Sequence, residues 1–238
     1  MYNINGLCFL RNLIMMSYYG YSQGGRGFLS SLPKATKHIL AINILLFVAT
    51  LINEQFMVEK FAMFYPTSPF FKPWQVVTHM FMHGGFWHLF FNMYSLLMFG
   101  TILERSFGTK RFLIFYFVTG LGAALLHTGV EYLQAQSYVS AGAFNAYHSL
   151  LCTPTLGASG AIYGILLGFG MLYPNEVLML MFPPIPLKAK WFVLIFAGIE
   201  LVTGILGTSD GVAHFAHLGG MLFGFLLITY WRKRNRYF

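Results

Sequence analysis

The segment FLIFYFVTGLGAALLHTGVEYL, residues 112–133, is a predominantly apolar run long enough to cross a lipid bilayer. A helix needs about 20 such residues to span the roughly 30 Å hydrocarbon core. The whole chain of 238 residues shares this character, with 57% hydrophobic and 9% charged residues, whereas soluble domains carry about 25% charged residues. Because lipid cannot satisfy exposed backbone amides, several such runs predict a helical membrane bundle.

Six apolar segments of this kind divide the chain. They are 38–52, 88–103, 112–133, 159–173, 191–206 and 214–231. The first, second, fourth and fifth segments are short, so we expect their helices to extend into the flanking residues. The sequence therefore predicts an all-α, polytopic membrane protein built as a bundle of six transmembrane helices.

Two connecting segments differ in composition from these runs. Residues 134–155 are rich in polar and small side chains, which predicts a loop that ends near Pro154. Residues 58–77 contain three prolines and many aromatic side chains. That segment is too broken to span a membrane, and we expect it to lie at the membrane interface, where aromatic rings are enriched.

The distribution of basic residues predicts the orientation of the chain. With the N-terminus in the cytoplasm, the cytoplasmic basic residues are Arg11, Arg26, Lys34, Lys37, Arg105, Lys110, Arg111, Lys188, Lys190, Arg232, Lys233, Arg234 and Arg236. Only Lys60 and Lys72 then lie outside. Short cytoplasmic loops collect Lys and Arg, so topology and attraction to anionic lipid explain the net charge of +8. We expect no nucleic-acid partner.

We predict three parts along the chain: a cytoplasmic extension (1–36), a membrane domain (37–231) and a basic cytoplasmic tail (232–238). The extension does not resemble a cleaved signal peptide, because Arg11 interrupts its apolar stretch. In this topology Cys8 and Cys152 lie on opposite sides of the membrane. No disulfide between them is expected.

The sequence GASGAIYG, residues 157–164, holds a candidate nucleophile. Gly157 and Gly160 flank Ser159 and allow another backbone or a substrate to approach closely. We expect Ser159 near the first turn of a helix, where free amides and the helix dipole favour a developing negative charge. Tyr163 lies four residues later, on the same helical face. A serine that only caps or bridges membrane helices is the simpler alternative.

His217 is the candidate base for this serine. It shares a helical face with Gly220 and Gly224, which would let that face approach the glycine-rich helix of Ser159. We favour a Ser-His dyad with Tyr163 stacked on the imidazole.

A full triad would need Asp210, the single aspartate of the chain, or Glu200. Neither has an orientation that the sequence predicts. For Glu200 we expect a hydrogen bond to a neighbouring helix, and for His214 a place at the mouth of the site. One aspartate also excludes an aspartyl intramembrane protease, which needs two carboxylates sharing a proton.

A second polar cluster lies in HMFMHGGFWHLFFN, residues 79–92. His79 and His83 are one turn apart, as are His88 and Asn92. Imidazoles at this spacing bind metal in zinc sites, but no HExxH motif and no nearby carboxylate or cysteine completes a ligand shell. Donation from His88 and Asn92 to an oxyanion uses both residues. We favour that reading and expect no metal and no cofactor.

Three motifs in order resemble the rhomboid intramembrane serine proteases: residues 79–92, residues 157–164 and AHLGGMLFG at 216–224. The resemblance covers about residues 37–231. It implies that Ser159 is the nucleophile and His217 the general base. It also implies a six-helix membrane fold and cleavage of the transmembrane segments of membrane proteins near the outer side of the bilayer.

The resemblance implies supporting roles as well. His88, Asn92 and the Ser159 backbone amide match the family's oxyanion hole, and Tyr163 matches the ring that stacks on the catalytic histidine. Further matches are His79 and His83, which hold the first loop, and Glu104, a buried glutamate paired with polar loop neighbours. Trp191, Phe192 and Phe196 are expected to face a lateral route for the substrate. One departure is Gln75 after Trp74, where some members have arginine, so we expect the lipid contacts of that loop to differ.

Two other functions stay open at this point. A catalytically inactive relative that binds transmembrane helices usually lacks the serine or the histidine, and both are present here. A small transporter would use the histidines but would leave Ser159, Gly160 and Asn92 without a shared purpose. We expect a multi-pass protein of the bacterial inner membrane with both termini in the cytoplasm.

Overall fold

The computed structural model describes residues 28–179, 185–207 and 213–234, which are mainly helical. The helices are α1 Phe28–Ser31, α2 Lys34–Ile52, α3 Glu54–Phe61, α4 Gln75–Thr78, α5 Phe86–Phe107, α6 Thr109–Ser140, α7 Phe144–Cys152, α8 Ser159–Leu172, α9 Ala189–Leu206 and α10 His214–Lys233. A short antiparallel hairpin, β1 Val177–Met179 and β2 Pro186–Lys188, precedes α9. Cys8 and Asp210 lie outside the described residues.

Four of these helices are long and apolar enough to cross a bilayer: α2, α5, α6 and α9. Helix α8 is apolar but has only 14 residues, and α10 has 20. Helix α2 begins at Lys34, α5 runs from Phe86 to Phe107 and α9 begins at Ala189, so these three short runs extend into their flanks as expected. The expectation is wrong for the fourth run, because α8 ends at Leu172 and begins only at Ser159. The chain is therefore a polytopic helical membrane protein.

The loop predicted at 134–155 is wrong. Helix α6 continues to Ser140 and α7 follows after a short turn. Glutamine and alanine are good helix formers, so polar residues alone did not end α6. The turn is made by Gly142, whose φ of 67° lies in the left-handed region that favours glycine. With 32 residues, α6 is about 48 Å long and reaches beyond the hydrocarbon core.

Small residues set the spacing of the central helices. Helix α10 packs mainly against α6 and α8. A Cβ at Gly219 of α10 would lie 2.9 Å from Ala123 of α6, and a Cβ at Gly164 of α8 would lie 2.5 Å from Thr119 of α6. Close approach of backbones through glycine and alanine is the usual packing mode between membrane helices. These contacts fix α8 at the centre of the bundle.

The outer surface is apolar, and the interior combines large apolar side chains with a few buried polar ones. The largest fully buried side chains are Tyr116, Phe112, Phe115, Met80, Met82, Leu96, Leu103, Ile165, His83, Gln75, Glu104 and Asn43. Large apolar side chains also cover the outside, as at Ile52, which is 82% exposed, and Leu206, which is 72% exposed. Lipid rather than water suits such a surface.

Glu104, near the end of α5, forms hydrogen bonds to the starts of both α2 and α6. Its carboxylate accepts hydrogen bonds from the backbone N–H groups of Ala35 and Thr36, at 2.8 and 2.7 Å. It also accepts from the hydroxyls of Thr36 and Thr109, each at 2.8 Å. The carboxylate therefore caps the first turn of α2, whose amides have no partner within the helix. Glu104 is therefore paired with polar groups as expected, but these groups belong to the first turns of α2 and α6 rather than to a loop.

Candidate active site

Ser159 is the first residue of α8, in the first turn where the sequence predicts it. The first bond within the helix runs from Ile162 N–H to the Ala158 carbonyl, at 3.0 Å. The amides of the first turn are therefore free of helical partners and point towards the start of α8. Gly157 has a φ of 137°, and a Cβ there would lie 2.9 Å from the His88 ring. Glycine is therefore favoured at position 157 both because the backbone has a positive φ and because a side chain would clash with the His88 ring.

His217 lies beside this serine. Its Nε2 is 2.8 Å from Ser159 Oγ, within hydrogen-bond distance. The ring stacks on Tyr163, with centroids 4.1 Å apart and planes at 6°. Both side chains of the predicted pair and the predicted aromatic neighbour are therefore brought together by α8 and α10.

Glu200, on α9, also reaches the imidazole. Its Oε1 is 3.0 Å from His217 Nδ1, and the same oxygen accepts a hydrogen bond from the Tyr163 hydroxyl. The expected hydrogen bond of Glu200 to a neighbouring helix is therefore present, but its position beside His217 was missed. The only sequence signal was a carboxylate in an otherwise apolar helix.

His214 is not the mouth residue that the sequence suggested. It is buried, with Nδ1 2.6 Å from Glu200 Oε2 and 3.1 Å from the Thr203 hydroxyl. The reason is helical geometry: residues three apart share a face, so His214 points to the same carboxylate as His217. In the described part of the chain, Glu200, His214 and His217 form the one group of three metal-ligating side chains, with ligand atoms within 4.8 Å.

His88 and Asn92 occupy different positions relative to Ser159. His88 lines a cavity that Ser159 and His217 also line, and its ring approaches Gly157 from α5. Asn92 is buried, and its Nδ2 donates to the His88 carbonyl at 2.8 Å. Asn92 is not among the residues that line the cavity, although its amide keeps a second N–H. The structure thus places His88 on the cavity wall, whereas Asn92 is buried and contacts the backbone of His88.

Gly160 serves helix packing. A Cβ there would lie 2.4 Å from the Ala123 Cβ of α6 and 3.5 Å from the Ala216 carbonyl of α10. Gly160 is buried. Of the two readings of the flanking glycines, close approach of another backbone applies to Gly160.

The histidines at 79 and 83 belong to the first loop. The His79 carbonyl accepts from Gly157 N–H at 3.0 Å, and its Nδ1 lies 2.8 Å from the Gln75 carbonyl. Burial lowers the pKa of His79 to about 4. His83 is 1% exposed and packs edge-on against His88, with ring centroids 5.1 Å apart. These contacts connect the loop to Gly157, which precedes the serine, and to His88 on the cavity wall.

Gln75 is a structural centre of that loop rather than a lipid contact. It is fully buried. Its Nε2 donates to the carbonyls of Glu59 and Phe70, at 3.0 and 3.1 Å, while its Oε1 accepts from Lys72 N–H at 2.9 Å. A neutral amide can both donate and accept, which explains how glutamine satisfies three backbone groups here. Gln75 therefore does not itself reach lipid, and the altered lipid contacts of the loop stay a prediction.

A cavity of about 960 Å³ opens above Ser159 and His217. Its wall includes His88 and polar groups of α6 and α7, among them His127 and Glu131. His127 lies 3.0 Å from the Thr155 hydroxyl and 3.4 Å from the Glu131 carboxylate. Water and an extended peptide segment both fit such a space.

The fold and this site define a class: polytopic helical membrane proteins that hold a serine and an imidazole together beneath an open cavity. A rhomboid domain model matches residues 70–234, more than half of the chain. The chain therefore belongs to the rhomboid family, and the resemblance predicted from the three motifs is confirmed.

Relatives occur in plants and bacteria. RHOMBOID-like protein 6, mitochondrial, from Arabidopsis thaliana is 33% identical over 156 residues, covering 66% of this chain and 43% of that protein. Putative rhomboid protease YdcA from Bacillus subtilis is 29% identical over 167 residues, covering 69% and 71%. Rhomboid protease AarA from Providencia stuartii is 29% identical over 157 residues, covering 65% and 54%.

The chain matches only part of the longer relatives. Three Arabidopsis proteins are covered over 33% to 43% of their length. The family includes members named proteases and members named only rhomboid-like. Relatives named mitochondrial occur beside bacterial ones, so family membership assigns a membrane protein without assigning the membrane.

Proposed function

We propose that this protein is an intramembrane serine endopeptidase that cleaves transmembrane segments of membrane proteins near the outer side of the bilayer. Ser159 is the nucleophile and His217 the general base. The observation that carries the proposal is the 2.8 Å separation of Ser159 Oγ and His217 Nε2 at the base of a cavity of about 960 Å³. Nucleophile and base within hydrogen-bond reach are the signature of an activated serine.

The reaction starts when Ser159 attacks the carbonyl of an unwound substrate segment and transfers its proton to His217 Nε2. The imidazolium then protonates the leaving amine, and an acyl-enzyme remains on Ser159. Water from the cavity then attacks the acyl group while His217 takes its proton. The bond to Ser159 Oγ breaks, the new carboxyl end is released, and His217 returns the proton to Oγ. No metal or organic cofactor takes part.

The tetrahedral oxyanion needs donors around the start of α8. The Ser159 backbone N–H belongs to the first turn, where amides lack helical partners, and the positive end of the helix dipole favours negative charge there. His88 stands against Gly157 on the cavity wall. Asn92 completes the set in this proposal, using the N–H that does not bind the His88 carbonyl.

The proposed membrane arrangement has six spans within a domain of residues 37–231, flanked by a cytoplasmic extension and tail. Helices α8 and α10 are the two spans added to the four long apolar helices. Helix α8 has 14 residues, which is about 21 Å. With its C-terminal end at the inner surface, Ser159 therefore lies below the outer surface of a roughly 30 Å core. The bacterial inner membrane remains our assignment.

Helix α9 is the proposed side of substrate access. Only 17% of its 18 residues are buried, the smallest buried share among the four long apolar helices. Trp191 is 50% exposed, and Phe192 and Phe196 pack together with ring centroids 4.4 Å apart. A helix with so few buried residues presents most of its surface to the lipid from which a transmembrane substrate arrives.

The test is covalent labelling of purified protein in detergent with a fluorophosphonate probe, followed by cleavage of a generic transmembrane-helix substrate in liposomes. Wild type should be labelled and should cleave, whereas Ser159→Ala and His217→Ala should do neither. Folding of each variant is checked by thermal unfolding. If folded wild type neither labels nor cleaves, the protease assignment fails and an inactive helix-binding protein becomes the better description.

A further inference from the structure

We infer that Glu200 is the positioning residue for His217, so that the site operates as a Ser159–His217–Glu200 triad rather than a dyad. This inference rests on the proposed protease function and deepens it. Glu200 comes from α9, a different helix from those of the serine and the histidine. It does not contact the proposed reacting atoms and acts through the imidazole.

The distances place the three groups in series. Ser159 Oγ lies 2.8 Å from His217 Nε2, and the other ring nitrogen, Nδ1, lies 3.0 Å from Glu200 Oε1. A carboxylate at Nδ1 holds the proton on that nitrogen and leaves the Nε2 lone pair free to accept the serine proton. It also stabilises the imidazolium formed in that step.

The contact between Glu200 and His217 is buried from solvent. Glu200 is 6% exposed and His217 is 7% exposed. An ionised carboxylate in such a place is tolerated only when it is paired and hydrogen-bonded. A carboxylate inside an apolar membrane helix is costly enough that a functional role is the default hypothesis.

Other residues fix the carboxylate itself. The Tyr163 hydroxyl donates to Oε1, and His214 Nδ1 lies 2.6 Å from Oε2. Tyr163 also stacks on the His217 ring. The carboxylate and the imidazole are therefore held by a shared set of contacts from α8 and α10.

The contact at Nδ1 has the distance of an ion pair without the alignment of a hydrogen bond. Among the described residues, His217 Nδ1 is buried and has no aligned acceptor. Catalytic hydrogen bonds are often poorly aligned before substrate binds and tighten in the complex. Glu200 is the acceptor that a small rotation of the ring would reach.

A purely structural role for Glu200 makes a different prediction. Helix α9 has few buried residues, Ala189, Val193 and Glu200, so Glu200 also pins this helix to the bundle. If holding α9 in place were its only role, a change at Glu200 and a packing change elsewhere on α9 would have the same effect on kcat for the same loss of stability. Val193→Ala supplies that comparison, because Val193 packs against Gly170 of α8, away from the imidazole.

The experiment compares Glu200→Gln, Glu200→Asp and Val193→Ala in the full chain in liposomes. Glutamine keeps the shape but offers an N–H or a neutral oxygen to Nδ1. We expect Glu200→Gln to lower kcat by on the order of 10²–10⁴-fold, with KM within about twofold. Glu200→Asp should recover at least about tenfold over glutamine. Val193→Ala should lower the unfolding temperature and leave kcat near wild type.

Two kinetic outcomes would overturn the inference. One is a Glu200→Gln protein with wild-type kcat. The other is an equal loss of kcat in Glu200→Gln and in Val193→Ala at matched unfolding temperature, which would mean that Glu200 only pins α9.

A readout independent of proteolysis is the ¹⁵N spectrum of histidine-labelled protein, with His217 assigned by His217→Ala. At a pH where the imidazole is neutral, wild type should carry its proton on Nδ1, and Glu200→Gln should lose that preference. A wild-type proton on Nε2 refutes the positioning role even if the protein cleaves substrates. Absence of cleavage in wild type refutes the proposed function, while the spectrum still decides the role of Glu200.

Discussion

Gly220 of α10 lies directly against the backbone carbonyl of Gly160 in α8. A Cβ at Gly220 would come within 1.8 Å of that oxygen. Gly160 follows Ser159 by one residue, and Gly220 follows His217 by three. The contact of these two glycines therefore determines how closely the helices bring the serine and the imidazole together.

Gly220→Ala should separate α8 and α10. The added methyl group meets backbone rather than a flexible side chain, so the helices must move apart. Overpacking of this kind costs about 1–3 kcal/mol or more, and it should lengthen the 2.8 Å contact of Ser159 with His217. We expect a lower unfolding temperature and at least about tenfold slower fluorophosphonate labelling.

Gly129→Ala is the matched control, because a Cβ at Gly129 has no neighbour within 4 Å. Alanine there should leave labelling unchanged and favour the helical state of α6 by up to about 1 kcal/mol. Wild-type labelling by folded Gly220→Ala protein would show that the glycine contact does not set the site geometry.

Tyr163→Phe and Tyr163→Ala separate the ring from the hydroxyl. Phenylalanine keeps the stack on His217 but removes the donor to Glu200, so labelling should slow by less than about tenfold. Alanine removes both and should slow labelling by about 100-fold. Tyr173→Phe, which loses a hydroxyl contact to Ser106 at the other end of α8, should label like wild type. Equal rates for the two Tyr163 variants would contradict a role of the ring.

The serine and the histidine could be predicted from the sequence because their helices carry the signal themselves. Gly160 and Gly220 recur at helical spacing beside Ser159 and His217, and small residues on a shared face predict close contact. Glu200 could not be placed in the same way. Apart from Lys190, Glu200 and Thr203, helix α9 is apolar on all sides, so the pattern of its other residues does not reveal which face turns inward.

The end of α6 shows a second limit. The small and polar residues at 134–155 predict a loop, but most of them are helical. Gly142 alone adopts the left-handed conformation that makes the turn. A helix that continues beyond the membrane needs no apolar residues to do so, and hydropathy therefore marks where lipid ends rather than where the helix ends.

Glu104→Gln should destabilise the fold and leave the site intact. The change removes a carboxylate that accepts four hydrogen bonds from Ala35, Thr36 and Thr109. Hydrogen bonds to charged groups contribute about 1.5–3 kcal/mol each, so the unfolding temperature should fall by several degrees. Glu176→Gln, at an exposed position, should change it little. Unchanged stability of Glu104→Gln would show that the capping of α2 is dispensable.

Acid should destabilise the protein through His79 and His83. Burial lowers the pKa of His83 to about 3 and that of His79 to about 4, from 6.5. The unfolded chain takes up these protons first, so the stabilising contribution is complete above about pH 6.5 and is lost as the pH falls towards the folded pKa values. The loss is up to about 1.4 kcal/mol per pH unit and group. Unfolding temperatures measured from neutral to acidic pH should follow this trend.

His83→Phe tests the assignment of that acid sensitivity. Removing one ionisable group should flatten the fall in unfolding temperature below pH 6.5. His148→Gln is the control, because His148 is exposed and should leave the slope unchanged. If His83→Phe and wild type lose stability in parallel, other groups account for the effect.

The proposed topology predicts opposite accessibility for the two cysteines. Cys152 is exposed, at the end of α7, and belongs to the outer side in this topology, whereas Cys8 precedes the first span. Water-accessible thiols react as thiolates and buried or shielded ones do not. A membrane-impermeant maleimide added to intact cells should therefore label Cys8→Ser protein at Cys152. It should label Cys152→Ser protein only after permeabilisation. The reverse pattern would mean that the chain has the opposite orientation and that Ser159 faces the cytoplasm.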